Sequence, residues 1–142
     1  MTETIDYKLY LAAKKVDGLN KAGKVKGFSG NENGYAKILQ IKRGCDVWIH
    51  HLKNNKLIID LLTTPSASER YPEQVDEAVK LFKEFAGEKL EEDTFNHSIN
   101  KNSFASRYFI DVTELPFAVI DDMIEDIYLK FSDKNEILFP KI

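Results

Sequence analysis

Hydrophobic residues recur along the chain with two different periods, and the places where the period changes mark its elements. Between Thr4 and Val16, the apolar residues Ile5, Leu9, Ala12, Ala13 and Val16 keep helical spacing with Lys8, Lys14 and Lys15 interleaved. That spacing predicts a short amphipathic helix ended by Asp17-Gly18. The stretch to Gly34 mixes Gly23, Gly27 and Gly30 with lysine, serine and asparagine, which is loop composition. Tyr35 to Lys42 reads as a strand closed by Arg43-Gly44.

The strongest local signal follows. Residues 46–52 and 57–62 are extended apolar runs around Lys53-Asn-Asn-Lys56, and paired asparagines tolerate the positive φ angles of a two-residue type I′ turn. Pairing Lys53 with Lys56 sets Trp48 opposite Leu61 and Ile49 opposite Asp60. One face then holds Trp48, His50, Leu52, Leu57, Ile59 and Leu61, and the other Val47, Ile49, His51, Ile58, Asp60 and Leu62. Both faces are largely apolar, so the hairpin is expected at the centre of a sheet.

Beyond a loop at Pro65-Ser-Ala-Ser, Pro72 stands where a first helical turn accepts it, with Glu73, Asp76 and Glu77 near the positive end of the dipole. Val75, Ala78, Val79, Phe82, Phe85 and Ala86 form its apolar stripe and Gly87 its stop. Thr94–Ile99 and Ser103–Val112 suggest a second hairpin around Asn100-Lys-Asn102. Thr113 is expected to cap a last helix burying Val119, Ile120, Met123, Ile124, Ile127 and Tyr128, and 137–139 to add an edge strand. This order predicts one α+β domain over residues 1–142, an antiparallel sheet of about five strands with helices mainly on one face.

Composition narrows the setting. An apolar fraction of 43% in 142 residues supports one real core. The amino terminus lacks the basic and apolar regions of a signal peptide, and no apolar run reaches the roughly 18 residues of a spanning helix. The lone Cys45 has no intramolecular disulfide partner, and a cytoplasmic protein without membrane insertion is expected. The net charge of −3 divides unevenly: residues 1–56 carry eleven Lys/Arg against five Asp/Glu, and residues 57–142 carry nine against eighteen. Opposed charge of this kind can attract an anionic partner to the basic side.

Candidate chemistry is sparse. In the expected register His51 and Asp60 lie diagonally on one face, so the carboxylate could orient the imidazole for acid–base work. No nucleophile accompanies them: Cys45 is six residues from His51, roughly 20 Å along a strand. His50 and His51 project to opposite sides and cannot chelate one ion, the acidic runs read as solvated faces, and no metal or other cofactor is expected. Gln40-Ile-Lys42 resembles the end of a nuclease metal motif, but its acidic residue would have to precede that strand. Lys14, Lys15, Lys21, Lys24 and Lys26, with Lys42 and Arg43, could contact phosphates while Phe28 or Tyr35 stacks on a base. The expected function is a non-enzymatic binding or regulatory module for a protein or nucleic acid. The alternatives are a small hydrolase or transferase using His51 and Asp60, and a homodimer formed through an edge at Phe139.

Overall fold

The computed structural model describes residues 4–21, 35–42, 45–51, 55–93, 97–99, 102–104 and 106–133. Its helices are α1 (Ile5–Lys21), α2 (Pro65–Arg70), α3 (Pro72–Ala86) and α4 (Phe117–Asp133). Its strands are β1 (Tyr35–Lys42), β2 (Cys45–His51), β3 (Leu57–Thr63), β4 (Glu91–Asp93), β5 (His97–Ile99), β6 (Asn102–Phe104) and β7 (Ser106–Asp111). The class is α+β around an antiparallel sheet in the order β1-β2-β3-β7-β4: four substantial strands with the three-residue β4 at one edge. No helix among the described residues is long and apolar enough to cross a membrane.

The first hairpin forms, but one position away from the sequence register. Trp48 pairs with Asp60, Ile49 with Ile59 and His51 with Leu57. A two-residue turn between Lys53 and Lys56 would have required Trp48 opposite Leu61. The observed ladder leaves an odd number of residues, 52–56, between its last partners, and Asn55 takes the left-handed conformation at φ 64°. A longer connection ending in a left-handed residue is the usual alternative to the two-residue turn. Because side chains alternate, this single step moves every β3 residue to the other face relative to β2.

Cys45, Val47 and Ile49 of β2 therefore share a face with Leu57, Ile59 and Leu61 of β3, and this face joins the core cluster with α1, α3 and α4. Leu9, Ala12, Val16 and Leu19 supply α1's part, Val75, Ala78, Leu81, Phe82 and Ala86 that of α3, and Ile120, Ile124, Ile127, Tyr128 and Phe131 that of α4. The opposite face carries Asp46, Trp48, Ile58, Asp60 and Leu62, all buried as well. All seven positions of β3 are buried, as the apolar run had implied.

Elsewhere the structure revises the boundaries. The first helix continues through Gly18 to Lys21 because Leu19 extends the buried stripe. Pro65-Ser-Ala-Ser is helix α2, not a loop: the Thr64 hydroxyl accepts the Ala67 amide at 3.1 Å and Pro65 occupies the first turn. In α3, Leu81 is buried while Val79 and Phe85 are half-buried. Glu91–Asp93, read as a solvated run, keeps Glu91 and Glu92 exposed while its backbone pairs with β7. The second hairpin is the short ribbon β5-β6, whereas β7 pairs with β3 and β4. Thr113 does not cap α4, which starts after Pro116, and Val119 is exposed. The edge expected at 137–139, with its dimer through Phe139, lies outside the described residues.

Strand β1 is irregular, and the irregularity is used. Its register to β2 skips Ile38 and Ile41, so Ala36, Ile38 and Ile41 all enter one core although a regular strand would separate the last two. The Ile38 carbonyl at the first bulge accepts the Tyr128 hydroxyl from α4, a buried hydrogen bond between sequence-distant elements. Tyr128→Phe keeps the ring and removes the donor. The expected loss is about 1–3 kcal/mol in urea unfolding; an unchanged midpoint would show that the bulge does not depend on this bond.

Candidate functional site

Register determines which polar groups meet. His51 and Asp60 now occupy opposite faces, so the pair expected from the sequence does not form. Asp60 lies beside His50 instead, with Nδ1 to Oδ2 at 3.9 Å, and the Trp48 ring meets His50 edge-on at 6.0 Å. The Asp60 side chain is fully buried and that of His50 is 13% exposed.

His51, at the end of β2, faces a cleft of about 490 Å³ lined by Thr4, Ile5, Asp6, Lys8, His51, Asn55, Thr113 and Glu114. Its Nδ1 is 3.1 Å from Asp6 Oδ1 and its Nε2 3.1 Å from Asn55 Oδ1. A protonated imidazole donates to both; a neutral one that donates to Asp6 needs the Asn55 amide turned over. The left-handed turn at Asn55 thus places its amide against the ring as well as closing the ladder. A neighbouring cleft of about 530 Å³ shares Asn55, Thr113 and Glu114 and adds Lys56, Lys89, Asp111 and Leu115.

The wall between α1 and the sheet is fixed by Thr113, which follows β7. Its hydroxyl donates to Asp111 Oδ1 at 2.6 Å and accepts the Leu57 amide at 2.9 Å, while its own amide donates to Asp111 at 2.9 Å. The Val112 N–H donates to the Leu57 carbonyl at 2.9 Å. The start of β3 is thereby tied to the end of β7. The Thr113 carbonyl points the other way and accepts Lys8 Nζ at 2.8 Å.

Lys8 is the residue that sequence reasoning missed. The helical pattern only interleaves it with the apolar residues, yet it is 4% exposed. The available signal was its position three residues after Ile5 and four before Ala12, on the flank of the apolar arc. Its stem packs there and its head reaches the cleft. The Thr4 hydroxyl accepts the Tyr7 amide at 3.1 Å, so the helix opens beside the same cleft.

The basic set expected to contact phosphates is only partly described. Lys24, Lys26, Phe28 and Arg43 lie outside the described residues. Tyr35 and Lys42 stand at opposite ends of β1, across from His50 and Cys45. Lys14 sits over the Tyr10 ring at 4.9 Å, and the Tyr10 hydroxyl raises its pKa. Lys15 bridges to Asp121 and Glu125 of α4 at 3.4 and 3.7 Å. Among the described residues no group of three or more His, Cys, Asp or Glu side chains is placed to hold a metal ion.

No protein-family model, curated protein or solved structure matches this chain.

Two properties of these groups can be measured directly. For Asp111, partial burial works to raise the pKa, but the Thr113 hydroxyl and amide and the Lys56 ammonium together lower it below the ordinary aspartate value. A depressed folded-state value contributes stability above the unfolded pKa and loses it as pH falls through the folded one. Thr113→Val should raise the Asp111 midpoint in an NMR titration and cost about 1–3 kcal/mol at neutral pH; an unmoved midpoint refutes the assignment. Cys45 is buried on the helix side, where desolvation, helped by the charge of Asp46, pushes its thiol up to about 12. Its contribution is complete below the unfolded thiol pKa and is lost as pH climbs toward the folded value. At pH 8, disulfide-reagent labelling should be on the order of 10³ slower in the native than in the urea-unfolded chain, from thiolate fraction alone. Equal rates would contradict the burial.

Proposed function

We propose that this chain is a non-enzymatic binding or regulatory module, and that it holds its ligand in the cleft at the start of α1. One observation carries the reading. Three places far apart in sequence, residues 4–8, His51 with Asn55, and residues 113–114, bring an ammonium, an imidazole and an amide to one concave site of about 490 Å³. That volume lies in the usual range for small-molecule sites, where a few convergent polar groups set orientation. A cytoplasmic setting belongs to the same proposal, supported by Cys45 as a buried free thiol.

A second reading, hydrolase or transferase chemistry, no longer has the His51–Asp60 pair. It retains the contact of His51 with Asp6, whose side chain is 86% exposed and therefore screened by water. The Nε2 that would face a substrate is held against Asn55. The binding reading makes fuller use of the site.

Screening a fragment library against the ¹⁵N-labelled chain tests it. Binders are expected to move the amide signals of Lys8, His51, Asn55 and Thr113 together. Binders that cluster elsewhere, or none at all, would remove the cleft from consideration, and turnover abolished by His51→Gln would favour the enzymatic reading.

A further inference from the structure

We propose that the cleft is a carboxylate site, taking the acid group of a small organic molecule on the Lys8 ammonium; this rests on the reading of the cleft as a ligand site. Lys8 is 4% exposed, and its ammonium makes one hydrogen bond, to the neutral Thr113 carbonyl at 2.8 Å. Among the described residues the ion pairs of this region join Asp6 to His51 and Asp111 to Lys56, and Lys8 makes none. That hydrogen bond is only partly buried, and the ammonium borders the cleft. An anion in the cleft would meet this ammonium directly and give it the opposite charge that the carbonyl lacks. Two of its three N–H donors remain for such a ligand.

Geometry and charge select the class of anion. The cleft opens beside the first turn of α1, where Ile5 and Asp6 present amides that have no acceptor within the helix. Asp6 and Glu114 also line the cleft. Their charges repel a dianion more strongly than a monoanion, so a carboxylate is preferred over phosphate. Ile5 offers apolar surface for the rest of a small acid.

The test is an NMR titration of the full-length ¹⁵N-labelled chain with sodium acetate, and separately with sodium phosphate, at ionic strength held constant with chloride. Acetate should move the Lys8, His51 and Thr113 signals along one saturable curve, and phosphate should bind at least about tenfold more weakly. Lys8→Met, which keeps the stem volume and removes the charge, should abolish saturable binding while melting at the same temperature as the parent or higher. Acetate shifts that do not saturate, that survive Lys8→Met, or that phosphate matches at equal concentration would overturn the proposal. So would a lower melting temperature for Lys8→Met combined with no acetate binding to the parent, which makes the lysine purely structural. If Lys8→Met does not fold, the parent titrations decide alone. Should neutral or cationic fragments occupy the cleft while acetate does not, the carboxylate class falls and the binding reading stands; if nothing occupies it, both fall.

Discussion

The pairing of Trp48 with Asp60 is the constraint on which the arrangement of polar groups depends. Strand β3 is buried along its whole length, so neither face can slip toward water without exposing apolar side chains. Given that pairing, Leu57, Ile59 and Leu61 face the helices, and Asp60 is committed to the side of Trp48 and His50. His51 is left at the helix side, at the end of its strand, where it meets Asp6 of α1. One residue of register thus decides which histidine has a buried carboxylate beside it and which lines a cleft.

Thr113 converts that register into a site. Its hydroxyl and amide hold the β3–β7 junction through Leu57 and Asp111, which leaves its carbonyl directed toward α1. Lys8 closes the contact. Because the same residue serves the ladder and the cleft, the position of the ammonium is linked to the strand ends and does not depend on the helix alone. Tyr128 makes a comparable link on the other side of the core, tying α4 to the bulge in β1.

Much of this was legible from residue patterns. The stripe from Val75 to Ala86, the Pro72 start and the Gly87 stop mark α3 because local propensity and burial agree there. The central position of β3 follows from its unbroken apolar run. Register was not legible: Asn54-Asn55 fits more than one loop length, and only the ladder shows that the odd one is used, with Asn55 alone of the described non-glycine residues at positive φ. Helix α2 was missed because Thr64-Pro65 reads equally as a turn and as a cap with its first helical residue. Strand β4 was missed because three acidic residues carry no apolar period; their pairing with β7 supplies what composition could not. The cleft itself joins residues 4–8 to 113–114, a proximity that no local pattern encodes.

The case of Lys8 shows how a charge can be hidden in an amphipathic helix. A lysine on the flank of an apolar arc ordinarily extends its stem over the surface and leaves its head in water. Here α1 packs against β1, β2 and α4, and the head emerges at the cleft, where the Thr113 carbonyl accepts it. If hydrogen bonding alone were required at that carbonyl, a neutral donor would serve without the desolvation of a full charge. Of the carboxylates lining the cleft, Asp6 contacts His51 and Glu114 is exposed. A carboxylate bound in the cleft, as proposed, would add the opposite charge that the Thr113 carbonyl lacks.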